Sequence, residues 1–375
     1  MHAVVMLAAL KLALKLELGP EWDSNANRAE IVAGTVANDQ PTASFLLRTT
    51  ARGTLQWRSG RNVLRAMAGA GGKVFFNPDV NDQDVLVTQV AVEDRVRAHD
   101  RLELGLGGDY YDAWQLDVTP PCAALGCFRR RDFRTGSLTA RASLVDEDGE
   151  VSVSGGYRGF EYKPDAAFNF NAGQLSALAV ARLKLGPEGR EVELDVAAAY
   201  HLERRLYDGL LEVNRCPPGV PITDACLAAG GATRADWFHE ASLELTYLRE
   251  LLVTVGYAVQ LNLSNSFGQS LMRHLFTAKI AFRLPWQLYT TLKGQLLVTR
   301  YLDPVLLDHQ INSQTFVSIE DENRNAFIAD LERPVARGLS VEARYSIYTN
   351  ELAASPVSFL RQVVYLGVTY KIGTR

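Results

Sequence analysis

The sequence has 375 residues, and its 39 Lys and Arg against 43 Asp and Glu leave a net charge of -4, without the basic excess of a nucleic-acid binder. The hydrophobic fraction of 47% suits a folded chain, yet no stretch reaches the roughly 18 to 20 consecutive apolar residues a membrane helix needs. Nucleic acid drops out as a partner, and a helical membrane protein drops out as a class.

The chain opens on MHAVVMLAAL, a short apolar run that lacks the basic opening of a secretory signal, and no small-residue cleavage site follows it. We read it as the start of a mature chain, or a misplaced start, whose signal is missing. From there a period of two takes over. In KLALKLELG, Leu12, Leu14, Leu16 and Leu18 oppose Lys11, Lys15 and Glu17. In REVELDVAAAYHLER, Val192, Leu194, Val196, Ala198, Tyr200 and Leu202 oppose Glu191, Glu193, Asp195, His201 and Glu203. In LLVTVGYAVQLNLS, Leu251 to Leu263 present one apolar face, against Thr254, Gly256, Gln260, Asn262 and Ser264 on the other. Side chains alternate across a strand, so each segment is a ribbon with one apolar and one wet side.

Such segments span 10–22, 43–58, 62–76, 84–98, 101–115, 134–146, 150–162, 171–185, 190–207, 236–249, 250–264, 271–284, 287–301, 323–333, 338–350 and 359–372. Most have the ten or so residues of a tilted membrane strand. Their connections alternate in length. Short links at 59–62, 99–100, 146–150, 186–190, 285–287 and 335–338 are interleaved with longer ones at 23–42, 77–83, 116–133, 163–170, 208–235, 265–270, 302–322 and 351–358. A β-sandwich or propeller is the soluble alternative, but those folds use strands of roughly five or six residues. The expected fold is all-β: a closed antiparallel transmembrane β-barrel of about sixteen strands, a single domain over 1–375, with short periplasmic turns and long extracellular loops.

The four cysteines form two close pairs, Cys122 with Cys127 and Cys216 with Cys226, each in a Pro/Gly-rich long connection. Neither pair has the CxxC spacing or nearby His of a zinc site, and we expect two local disulfides in an oxidising compartment. The alternative is four unrelated thiols.

The final strand, YLGVTYKI, resembles the C-terminal β-signal of Gram-negative outer-membrane proteins through Tyr365, Gly367, Tyr370 and Ile372. It departs from that pattern in ending on Ile and in the trailing Gly373, Thr374 and Arg375. The resemblance implies the barrel-assembly machinery as a partner and the outer membrane as the location, in contact with its lipid and lipopolysaccharide. GPEWDSNANR, from Gly19 to Arg28, resembles the aromatic-Asp-Ser-Asn loop of barrels in surface-polysaccharide export and surface-lipoprotein delivery, which implies periplasmic export or envelope-complex partners. On physical grounds Asp23, Ser24 and Asn25 are also turn formers that cap a strand exit.

If the apolar face meets lipid, the other lines a lumen. By parity, Arg48, Arg52, Arg58, Arg65, Lys73, Arg273, Lys279, Arg283, Lys293, Arg361 and Lys371 form a basic wall, and Glu191, Glu193, Asp195, Glu203, Glu240 and Glu244 an acidic one. So many charges require a wet or polar interior. The basic wall is the expected contact for a permeant, and the loops 116–133 and 208–235 are expected to fold in and set the bore. Tyr111, Tyr162, Tyr289, Tyr301, Tyr348 and Tyr365 suit either a solute track or rim packing.

No HExxH, GxSxG or P-loop pattern is present, so no metal, cofactor or catalytic residue is assigned. The expected function is an outer-membrane pore for hydrophilic solutes or a polysaccharide. The alternatives are a non-conducting barrel anchoring an envelope secretion or motility complex, and a lipid hydrolase using His274 and Ser270.

Overall fold

The computed structural model describes residues 9–27, 31–32, 40–115, 132–163, 166–186, 192–217, 219–220, 226–302, 325–349 and 357–373. Long alternating ribbons dominate. In chain order they are β1 (Ala9–Asp23), β2 (Ser44–Ser59), β3 (Asn62–Phe75), β4 (Val85–Arg97), β5 (Leu102–Gln115), β6 (Phe133–Asp146), β7 (Gly149–Tyr162) and β8 (Phe170–Leu185). They continue as β9 (Val192–Asn214), β10 (Leu227–Leu248), β11 (Leu252–Ser264), β12 (Leu271–Leu284), β13 (Leu288–Tyr301), β14 (Asn325–Ala336), β15 (Leu339–Thr349) and β16 (Leu360–Gly373). Every strand pairs antiparallel with its sequence neighbours, and β1 closes on β16, giving a sixteen-strand closed barrel. A separate two-residue pairing joins Ile31–Val32 to Val357–Ser358.

Directly paired residues share a face, so the register divides the wall into two surfaces. Lys15 pairs with Arg52 on one side and Lys371 on the other, while Leu12 pairs with Leu55. The apolar set is exposed: Leu106 at 57% on β5, Leu138 at 58% on β6 and Leu366 at 57% on β16 stand on the outer surface. An apolar belt of this extent is stable only against hydrocarbon. No helix among the described residues is long and apolar enough to cross a membrane, and the strands do the crossing.

Tight turns such as 60–61, 147–148, 285–287 and 337–338 share a rim with the ends of β1 and β16, whereas 24–43, 116–132, 302–324 and 350–359 join strands at the other rim. At Gly338, with φ of 75°, a Cβ would fall on the Lys371 carbonyl, so only glycine fits that turn.

One expectation is corrected here. Most of 208–235 is strand, not a loop that folds in. Tyr207 is the last β9 residue paired with β8, and Asp236 the first β10 residue paired with β11; beyond them Leu210–Asn214 pair only with Leu227–Thr233. This two-stranded ribbon continues the wall past the rim, with register shifts at Leu210 that twist it. Its base is held where Glu212 N donates to Ser266 Oγ at 2.9 Å and Phe267 N donates to the Glu212 carbonyl at 3.0 Å. A Cys216–Cys226 disulfide, with Cα atoms 5.0 Å apart, ties its tip. Cys122, Cys127 and the 116–131 connection lie outside the described residues.

Candidate transport lumen

The inward face starts at the seam. β1 leaves the membrane through Glu21 and Asp23, whose parity is that of Lys15 and Glu17, so both carboxylates point inward and are 1% and 0% exposed. Lys73 Nζ donates to Glu21 at 2.6 Å, and Arg48 lies 3.6 Å from the same carboxylate. Arg361 chelates Asp23, with Nε 2.9 Å from both oxygens. Arg344 bridges Asp330 and Glu342, and the guanidinium groups of Arg48 and Arg344 each lie 5.5 Å from the centre of the Tyr365 ring. Three members of the expected basic wall, Arg48, Lys73 and Arg361, are thus buried in ion pairs and do not line open space.

The Trp22-Asp23-Ser24-Asn25 segment has a structural role at this seam. Ser24 N donates to the Gln362 carbonyl at 2.9 Å, Gln362 N donates back to Ser24 Oγ at 2.8 Å, and Asn25 Nδ2 donates to the Leu360 carbonyl at 3.3 Å. With the Asp23–Arg361 pair, the exit of the first strand clamps the entry of the last.

Across the ring, eight strands away, β7 to β11 carry a second buried network. Glu203 accepts from Arg158 Nη1 at 3.0 Å and from Arg205 Nε at 2.7 Å, and His201 Nε2 lies 3.2 Å from it. Arg234 chelates Asp236, which also accepts from Asn262 and Ser264. Between these charges runs an aromatic ladder on consecutive strands: Tyr111, Phe133, Phe160, Phe170 and Tyr207, with ring centroids 5.1 to 5.7 Å apart. Phe170 is 2% exposed, so the lumen wall is dry here near the long-loop rim. Arg205 is sandwiched between Phe170 and Phe238. Of this ladder only Tyr111 was legible as luminal: Phe160 reads as a break in alternation, and Phe133, Phe170 and Tyr207 fall at or just beyond the ends of their expected segments.

Toward the short-turn rim the inward charges become exposed. Arg52, Arg58, Arg65, Lys279, Arg283, Lys293 and Lys371 all face the lumen by register yet are open to water. Arg65 approaches Glu93 at 3.9 Å, Lys371 donates to Glu332 at 2.6 Å, and Arg283 lies over Tyr289. Lys279 and Lys293 pair directly across β12 and β13, and neither forms an ion pair among the described residues. Their flanking inward partners are Thr254 and Ile328. Arg273 is buried higher up, its Nε donating to Thr299 at 2.9 Å. Of the acidic set, Glu193 and Asp195 pair across β8–β9 with Lys184 and Arg182, Glu240 accepts from Gln260 at 2.6 Å, and Glu244 is exposed. Glu191 lies outside the described residues.

In the terminal motif, Tyr370 and Ile372 face outward at 43% and 50% exposure, while Tyr365 and Gly367 face inward. The Tyr365 ring folds over Gly367, where a Cβ would collide with Oη. The His274–Ser270 pair of the lipid-hydrolase alternative is not formed: His274 hydrogen-bonds Tyr257 on the outer face at 2.8 Å, and Ser270 bonds the Ser264 backbone.

A closed, even-stranded barrel with an apolar exterior and a charged interior defines an integral outer-membrane β-barrel of porin-like architecture. Among solved structures it is similar to Salmonella typhi OmpF in complex with daunomycin (10% identity over 97% of each chain, TM-score 0.48). It is also similar to the outer membrane protein opdK of Pseudomonas aeruginosa (11% identity, 98% of this chain and 99% of that one, TM-score 0.46) and to an anion-selective porin of Comamonas acidovorans (11%, 98% and 100%, 0.45). Neither a family model nor a curated protein matches the sequence. The strand pairing of this chain by itself closes the barrel.

Proposed function

We propose that the protein is a pore for small hydrophilic solutes that favours anions. The observation that carries this reading is the Lys279–Lys293 pair: two like charges directly opposed on the lumen wall, open to water, without a carboxylate partner among the described residues. Opposed like charges repel, and a passing anion relieves that repulsion. The cations of the buried networks at the seam and across from it are held in ion pairs by Glu21, Asp23, Glu203 and Asp236, so they brace the wall and leave selectivity to the exposed charges nearer the periplasm. Sixteen strands enclose a bore wide enough for water. The exterior belt would contact outer-membrane lipid and lipopolysaccharide, and the Tyr370 and Ile372 face would be read by the barrel-assembly machinery.

The test is planar-bilayer recording in a KCl gradient. The wild type should show stable open levels and an anion-selective reversal potential, and K279E/K293E should move that potential toward cation selectivity. Silence from correctly folded protein sinks the pore; an unchanged reversal potential sinks the role of the lysine pair.

A further inference from the structure

A serine, a histidine and a glutamate meet on the lumen wall between β8 and β9. Ser176 pairs directly with His201, and Ser176 Oγ lies 2.7 Å from His201 Nδ1. The other ring nitrogen, Nε2, lies 3.2 Å from Glu203 Oε1. Assigning the ring proton to Nε2 satisfies both contacts, since Nε2–H donates to the carboxylate and Nδ1 accepts from the serine hydroxyl. Glu203 cannot swing away, because Arg158 and Arg205 hold its two oxygens. The Phe238 ring, edge-on at 6.3 Å, packs beside the imidazole. Ser176 itself is only partly buried; across β7–β8 its inward neighbours are Ser154 and Gly156, while Gln174 and Leu178 flank it on its own strand and Ala199 lies below the histidine.

A nucleophile hydrogen-bonded to a base that a third group orients is the geometry that activates serine, whatever the fold that presents it. We propose that Ser176 is an acylable nucleophile, with His201 as its base and Glu203 as the positioning residue, in a luminal site for carboxylic esters of small hydrophilic solutes. Ser176 Oγ bonds to the ester carbonyl carbon as its proton passes to His201 Nδ1. Collapse of the tetrahedral adduct breaks the bond to the alkoxide, which leaves with the proton from Nδ1. Water then repeats the sequence on the acyl-serine and releases the carboxylic acid. The site rests on the proposed pore, since substrate reaches Ser176 only through a water-filled lumen.

The experiment exposes folded protein in detergent to a small fluorophosphonate, locates adducts by peptide mass spectrometry, and records conductance from the same preparation. A single adduct on Ser176 is expected, absent in Ser176→Ala, and formed about 100-fold more slowly in His201→Gln, the lower range for loss of a general base. Heat-modifiable migration certifies that each variant is folded. Conducting protein without an adduct overturns the site and leaves the pore standing; an adduct on silent protein does the reverse. An adduct that persists in Ser176→Ala, or labelling that is indifferent to His201→Gln, also overturns the site. So does protein that neither conducts nor reacts, which takes the pore reading with it.

Discussion

At the scale of single residues, the seam shows how much of a pore wall is structural. Asp23 is fully buried and chelated by Arg361, and removing one partner of such a pair strands the other charge. Asp23→Ala should cost about 3 to 5 kcal/mol, read as a lower urea midpoint in detergent, and adding Arg361→Met should recover much of the loss. Tyr365 makes a second test. Its ring fills the space above Gly367 between Arg48 and Arg344, but its hydroxyl has no hydrogen-bond partner among the described residues. Tyr365→Phe should therefore be neutral or mildly stabilising, whereas Tyr365→Ala should cost about 3 to 5 kcal/mol as an aromatic core deletion. Equal losses in the two variants would show that the hydroxyl matters and the ring does not.

At the scale of elements, the ribbon formed by Leu210–Asn214 and Leu227–Thr233 is locked at its tip by one disulfide that closes a short span. Replacing Cys216 and Cys226 by serine removes a constraint worth about 3 kcal/mol for a short loop, and only the ribbon depends on it. Limited proteolysis should then nick the segment between residues 208 and 235 while the barrel keeps its heat-modifiable migration; unfolding of the barrel itself would contradict this division. The ribbon also shows where the sequence was hard to read. Strands inside a bilayer announce themselves because hydrocarbon enforces alternation, and all sixteen barrel segments were legible within a few residues. Past the rim both faces meet water, the alternation fades, and Leu227 to Ala235 reads as Gly/Ala-rich loop. Glu21 lies within the expected first segment but was not assigned to a wall, because Gly19 and Pro20 interrupt the alternation; the register shows that the Lys15–Glu17 parity continues through Glu21 to Asp23. Parity gives the side a residue faces; only the register shows which charges neutralise one another.

At the scale of the whole molecule, the two buried networks sit on diametrically opposed walls, at the β16–β1 seam and at β8–β9, with exposed lysines and arginines between them and the short-turn rim. Salt should accordingly act on selectivity far more than on stability, since exposed charges are screened within about 10 Å at 0.1 M and buried ones hardly at all. Raising KCl should flatten the reversal potential while leaving the urea midpoint nearly fixed; a midpoint that tracks salt would mean the buried networks are wet. The clamp of the first strand upon the last carries a consequence for biogenesis. Asp23 meets Arg361, and Ser24 meets Gln362, in one alignment of the two terminal staves alone. A slip by a single residue would turn these charges toward hydrocarbon. In-step closure of the cylinder is thus the one alignment that joins each of these groups to its partner.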